Sequence, residues 1–123
     1  MFEKRIAVRW RDLDALGHVN NAVYLTYVEE ALNEWLGPVL GLDWVTARVE
    51  IDFSRELRGL GDEVAVRLSL ERVGTSSVTG VAQIAGPDGI LAAEARVVVV
   101  SWDPATRRPR PLDERQREAL ADL

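Results

Sequence analysis

An α+β fold is what this chain predicts: one long helix wrapped by a five-stranded antiparallel sheet, with a short helix at the C-terminus. Three observations carry that expectation. Only the stretch from Val23 to Trp35 repeats apolar residues at helical spacing over several turns. Five other stretches alternate or cluster apolar residues as strands do. The last four of these follow one another through short turns, and a lone sheet face must find an apolar partner, which the single long helix supplies.

Taken in order, residues 2–10 alternate, with Ile6, Val8 and Trp10 on one side and Arg5 and Arg9 on the other. Val23, Tyr24, Tyr27, Val28, Ala31, Leu32 and Trp35 mark the buried stripe of the helix. Thr26, Glu29, Glu30, Asn33 and Glu34 complete its turns, and Gly37-Pro38 is expected to stop it. Residues 44–53 alternate Ala47, Val49, Ile51 and Phe53 with Arg48, Glu50 and Asp52. Residues 62–73 do the same with Val64, Val66, Leu68 and Leu70 against Arg67, Ser69 and Glu71. A weaker strand pattern covers 76–85, and 90–102 holds the run Val97-Val98-Val99-Val100, which predicts a strand covered on both faces. Gly59-Leu60-Gly61, Gly74-Thr75 and Pro87-Asp88-Gly89 supply the turns. Pro104 to Pro111 reads as irregular, and Asp113 as the cap of a terminal helix through Leu120. One helix cannot cover both faces of a sheet. The outer face and a free edge therefore predict a homodimer or homotetramer.

Composition narrows the function classes. At 123 residues the chain is expected to form one domain, residues 1–123. Its 47% apolar and 28% charged residues are ordinary for a soluble globular protein. No apolar run approaches the roughly 20 residues that span a membrane. Met1-Phe2-Glu3-Lys4-Arg5 enters strand pattern at once, so no signal peptide is expected, and a cytoplasmic location follows as the default. Without cysteine there is no thiolate nucleophile, disulfide framework or Cys-based zinc site. A net charge of −5 argues against nucleic acid, apart from the local cluster Arg107, Arg108 and Arg110. That cluster reads either as a solvated tail or as a contact for a phosphate-bearing ligand.

Chemistry concentrates in Asp12-Leu13-Asp14-Ala15-Leu16-Gly17-His18-Val19-Asn20-Asn21-Ala22, between the first strand and the long helix. The only histidine, two acids and two amides crowd one strand-to-helix junction. A helix N-terminus offers free N–H groups and a partial positive charge to a developing oxyanion. A carboxylate beside it is a candidate nucleophile or general base. On the residues alone, Asp14 is either that carboxylate or a turn residue. Asp12 reads as structural, salt-bridged to Arg9 or Arg11. His18 either is satisfied by the helix start, or orients substrate or water, or donates to a leaving group. Asn20 or Asn21 caps the helix. Gly17 supplies a positive φ or room for a close approach. Tyr24 reads more readily as core than as a ligand contact. Asp12, Asp14 and His18 could in principle hold a divalent ion, but there is no second histidine to complete a site.

The string from Trp10 to Asn21, with Tyr24, Glu29-Glu30-Ala31, the Gly61-Asp62 turn and Trp102-Asp103-Pro104-Ala105-Thr106, resembles the 4-hydroxybenzoyl-CoA thioesterase-like family of hotdog-fold thioesterases. The same string is similar to that of plant-type acyl-carrier-protein thioesterases. The resemblance implies hydrolysis of an acyl-CoA, or an acyl-carrier-protein thioester, with no cofactor and no metal. It assigns catalysis to Asp14, to the Asn21 backbone N–H, and to His18 as an auxiliary. It implies substrate contacts at Gly17, Val19, Asn20 and Tyr24, with pantetheine at Thr75, Ser76 and Ser77. Nucleotide phosphates would meet Arg58 or the Arg107–Arg110 cluster. It further implies two protomers sharing one continuous sheet, with active sites at their interface. Around His18 and Asn20 the benzoyl-specific enzymes look different, and thioesterases of fatty acyl groups look closer. Two rival expectations stand beside this one. One is a hotdog hydratase or dehydratase of enoyl or hydroxyacyl thioesters, whose Asp-x-Asn-Pro-x-His-like string differs from Gly17-His18 here. The other is a non-catalytic module that binds acyl thioesters.

Overall fold

In the computed structural model, which describes residues 1–123, the elements are β1 (Phe2–Ala7), a 3-10 turn (Trp10–Asp12), α1 (Asn21–Leu40), β2 (Trp44–Phe53), β3 (Glu63–Val73), β4 (Ser77–Ala85), β5 (Leu91–Asp103), β6 (Arg108–Pro109) and α2 (Glu114–Ala121). The five long strands form one antiparallel sheet in the order β1-β3-β4-β5-β2. This is the hotdog arrangement, with α1 lying against the inner face of the sheet.

Alternation along each strand decides what α1 meets. Val64, Val66 and Leu68 of β3, Ala82 and Ile84 of β4, and Ala93, Ala95, Val97 and Val99 of β5 are all at most 2% exposed. The helix returns Tyr24, Tyr27, Val28, Ala31, Leu32, Trp35 and Leu36 to that face. At Gly80 the sheet has no side chain because the Trp35 ring lies there: a Cβ would sit 3.3 Å from Cζ3 of that indole. On the outer face the intervening residues pair by charge. Arg96 holds Glu71 through two bonds of 2.8 Å, and Arg67 holds Glu3 at 2.9 Å. Such exposed pairs contribute little stability each, but they keep most of that face polar.

Several expectations change against this architecture. Gly37-Pro38 does not end α1, which continues to Leu40 and is capped at Gly41. Pro38 removes one N–H from the helix ladder, yet Leu36, Val39 and Leu40 are buried beyond it, and that burial carries the helix through. Trp10 is not on the Ile6–Val8 face: β1 ends at Ala7, the chain enters the 3-10 turn, and the indole is 79% exposed. The Val97–Val100 run is not covered on both sides. Val97 and Val99 are buried, whereas Val98 and Val100 are half-buried on the outer face. The run reflects the fit of β-branched side chains to a pleated surface more than two-sided burial. The 104–111 segment includes a sixth, two-residue strand. β6 pairs Trp102 with Pro109 and Asp103 with Arg108, through a turn in which Arg107 takes φ 57°. Asp113 caps α2 as expected, accepting from the Gln116 N–H at 2.8 Å.

The sheet has two distinct ends. α1 starts at the near end, beside the β2–β3 loop, whose Ser54 and Arg55 N–H groups donate to Ala92 O. It finishes at the far end, where the Trp102 N–H donates to Asp43 O. From Ala92 to Val100 along β5 the two ends are about 26 Å apart, at roughly 3.3 Å per residue.

Candidate active site

The junction residues form a small hairpin at the near end. Beyond the 3-10 turn Leu13 is extended (φ −84°, ψ 143°) and bridges to Val19. Within that bridge the Asp14 N–H donates to His18 O at 3.0 Å, and the Gly17 N–H donates to Asp14 O at 3.1 Å. Gly17 takes φ +79°, and a Cβ built on it meets nothing within 4 Å. The glycine is therefore there for the backbone conformation that closes the turn, not for a tight contact.

Closing the hairpin sets two reactive groups side by side. Asp14 Oδ2 is 3.7 Å from His18 Nδ1, with both side chains 24% exposed. Asp14 Oδ1 accepts the Leu16 N–H at 2.9 Å, which leaves Oδ2 as the oxygen facing the imidazole. His18 Nδ1 lies 3.0 Å from Val19 O. A carbonyl only accepts, so Nδ1 carries the proton and, in the neutral ring, Nε2 is the free acceptor.

Helix α1 begins where the hairpin ends. Asn20 is the cap (φ −61°, ψ 138°), its Oδ1 accepting the Ala22 N–H at 2.9 Å. Asn21 is the first helical residue and is exposed. Its N–H has no intrahelical acceptor and sits in the positive field of the helix start. A carboxylate, an imidazole and an open N–H thus occur within residues 14–21.

The supports of this site were only partly legible in the sequence. Asp12 is paired with Arg9, as expected, at 3.3 Å. Its Oδ2 also accepts the Arg9 N–H at 2.9 Å and the Tyr27 hydroxyl at 2.7 Å. Burial opposes its ionisation, but the Arg9 N–H, the Tyr27 hydroxyl and the Arg9 guanidinium together hold the carboxyl below the usual carboxylate range. Tyr27, read only as core, is fully buried; burial and then the bond to Asp12 push its phenol well up. A tyrosine inside an apolar helical stripe needs a partner for its hydroxyl, and that need was the available signal. Val19 and Tyr24, expected as substrate contacts, are each 1% exposed. Both staple the β2–β3 loop. The Val19 N–H donates to Leu57 O at 2.8 Å. The Tyr24 hydroxyl donates to Arg55 O at 3.2 Å and accepts the Leu57 N–H at 3.1 Å. Arg58 lies on that loop, 69% exposed and paired to Glu56 at 3.3 Å. It borders a cleft of about 290 Å3 with Arg55, Asp62 and Asp88.

Thr75, Ser76 and Ser77 lie elsewhere. They form the β3–β4 turn at the far end, where Ser77 pairs with Val100. Leu112, just ahead of α2, and Arg117 on it hold this turn: the Leu112 N–H donates to Thr75 O at 2.9 Å, and Arg117 Nη2 donates to Gly74 O and Thr75 O. Arg110 is there too, its N–H on Ser101 O and its guanidinium 3.5 Å from Asp43. Within one chain the structure therefore brings together Asp14, Gly17, His18, Asn20 and Asn21, with Arg58 at the same end on the loop that Val19 holds through Leu57. It does not bring the Thr75–Ser77 turn or the Arg107–Arg110 cluster to them. Counting strand directions would have shown this, because successive antiparallel connections alternate between the two ends.

Comparison with known proteins defines the class. The chain belongs to the thioesterase-like superfamily, whose family profile matches residues 8–120, and is a hotdog-fold enzyme of that class. It is 28% identical to the long-chain acyl-CoA thioesterase FadM of Escherichia coli (strain K12), over 98% of both chains. A thioesterase from Thermus thermophilus, solved with coenzyme A and zinc, superposes with a TM-score of 0.88 at 38% identity, covering 98% of this chain and 92% of that one. A predicted thioesterase from Bacillus stearothermophilus gives 0.89 at 28% identity, covering 98% and 94%.

Proposed function

We propose that this protein hydrolyses an acyl-CoA thioester to a carboxylic acid and free coenzyme A. The hairpin carries this reading: one turn sets the Asp14 carboxylate beside His18 and leads into a helix start whose first N–H is open. The printed activity of the Escherichia coli relative and the coenzyme A held by the Thermus relative support the same substrate class.

In the proposed reaction the thioester carbonyl oxygen rests on the Asn21 N–H, where the helix N-terminus stabilises the charge that develops on it. Asp14 acts in one of two ways. It attacks the carbonyl carbon, forming an acyl-aspartyl anhydride that water then opens, or it takes a proton from a water that attacks directly. Either way the C–S bond breaks and coenzyme A leaves as a thiolate, which needs little help from an acid. His18, anchored by its Nδ1–H to Val19 O, offers Nε2 to orient water or substrate.

The active unit in this reading is a homodimer, or a pair of dimers, joined along the free edge of β2. Support comes from that edge: β2 pairs only with β5, and Val45 and Phe53 on it are 37% and 44% exposed. A two-fold axis perpendicular to the sheet, beside the midpoint of β2 on its free edge, exchanges near and far ends. It would carry the partner's Thr75, Ser76 and Ser77, and the partner's Arg107–Arg110 cluster, toward Asp14, completing a site that one chain holds in halves. Arg58 supplies a cation for the nucleotide phosphates from the near end.

Thiol release from acetyl-, hexanoyl-, palmitoyl-, benzoyl- and 4-hydroxybenzoyl-CoA, run beside Asp14→Asn, tests this. Turnover by the parent and a loss of about 10^3-fold in the variant are expected. Silence of a folded parent across the panel would overturn the substrate class, and an undiminished variant would overturn the role of Asp14.

A further inference from the structure

We propose that Asp12 is the positioning residue of this active site: its buried carboxylate, gripped between Arg9 and Tyr27, fixes the hairpin that aims Asp14. The inference rests on the reading of Asp14 as the reacting carboxylate.

The geometry begins with how many elements meet at one residue. The Asp12 side chain is 8% exposed. Its Oδ2 accepts from the Arg9 N–H at the exit of β1, from Arg9 Nε, and from Tyr27 on the second turn of α1. Its backbone carbonyl accepts the N–H of Asn20, the helix cap, at 2.9 Å. Arg9 is itself fixed, by two bonds to Glu30 of 2.8 and 3.1 Å and by its guanidinium 5.7 Å from the centre of the Tyr27 ring. Strand exit, helix face and helix cap therefore all meet at Asp12.

Asp14 lies two residues further on, past the extended Leu13. A two-stranded hairpin is marginal by itself, and the tip of this one stands in solvent, with Leu16 79% exposed. Its direction must come from its base, and Asp12 is the base. Stability is a poor explanation for a charge in that place. Desolvation offsets much of what a buried ion pair gains, and apolar packing of the same volume commonly holds a fold as well. Orientation accounts for it better. Three donors converging on one carboxylate oxygen define a direction, and charge-assisted bonds are roughly twice as strong as neutral ones.

The test is steady-state hydrolysis of hexanoyl- and palmitoyl-CoA by Asp12→Asn, Tyr27→Phe, the double variant and Asp14→Asn, with melting curves for each. Displacing a reacting atom by about 1 Å costs about 10^2-fold. Asp12→Asn should therefore lower kcat about 10- to 100-fold and leave KM within about threefold of the parent. Tyr27→Phe, which removes one donor, should lower kcat by about 3- to 10-fold at constant KM. If both act through the same bond, the double variant falls no more than about twofold below Asp12→Asn. A residue that only stabilises the core would lower the melting temperature and leave kcat at its parental value. Parental kcat in Asp12→Asn and Tyr27→Phe beside an inactive Asp14→Asn overturns the proposal and spares the reading of Asp14. Parental kcat in Asp14→Asn overturns both. If Asp12→Asn does not fold, Tyr27→Phe decides alone: a fall in kcat at constant KM supports the proposal, and no fall overturns it.

Discussion

The near end of the sheet holds reactive groups on a braced loop, whereas the far end holds hydroxyls and guanidiniums without a carboxylate–imidazole pair. At the near end, residues 12–20 are closed by their own backbone bonds, tied to α1 through Asp12, and tied to the β2–β3 loop through Val19 and Tyr24. At the far end, the Thr75–Ser77 turn hangs from Leu112, just ahead of α2, and from Arg117 on α2. Chemistry asks for a reacting atom held to fractions of an ångström, and binding a long flexible thiol asks only for donors along its path. The difference in bracing fits the division of work proposed for the two ends. The ends are about 26 Å apart along β5, so only the proposed dimer would combine them.

Breaking one end should affect the reaction differently from breaking the other. The largest effect falls at the near end. Asp14→Asn should lose about 10^3-fold in kcat with little change in KM, and a raised KM at parental kcat would show that Asp14 binds substrate instead of reacting with it. Thr75→Trp, an exposed far-end change, should lower kcat/KM about tenfold, chiefly through KM. A fall confined to kcat would move that turn into the chemistry. Tyr24→Phe leaves the buried Leu57 N–H without its acceptor. Losing such a bond costs about 1–3 kcal/mol, so the melting temperature should drop by several degrees, and an unchanged melting curve would show that the loop is held by other contacts.

The smallest effect concerns acid. Asp12 titrates below the ordinary carboxylate value in the folded chain, so on acidification the unfolded chain takes up its proton first. The stability it contributes is fully present above about pH 4 and is lost as pH falls through its folded value. Melting temperature measured from pH 6 to pH 3 should fall less steeply in Asp12→Asn than in the parent, and parallel curves would contradict that assignment.

Much of the near end was legible because its causes are local. Turn residues, a helix cap and the residues they expose all fall within the stretch from Asp12 to Ala22. The Asp12–Tyr27 bond was not, because it joins residues 15 apart in sequence and depends on how α1 lies against the strand exit. Pro38 misled for a related reason. Its local cost is readable from sequence, but the burial of Leu36, Val39 and Leu40 that outweighs it is a property of the whole sheet. Trp10 looked like a core residue by alternation, yet the strand had already ended. Which end of the sheet carried each turn went unread, although the antiparallel order implied it.

Subunit mixing tests the central claim most directly, that one active site draws on the near end of one chain and the far end of another. Asp14→Asn and Thr75→Trp proteins are unfolded together at equal amounts, refolded, and assayed for thiol release at substrate well below the parental KM. A site shared across a two-fold axis gives hybrid dimers with one intact site, and random pairing then restores about a quarter of the parental activity. Activity no higher than the average of the two variants assayed alone would contradict the shared site and return both ends to a single chain.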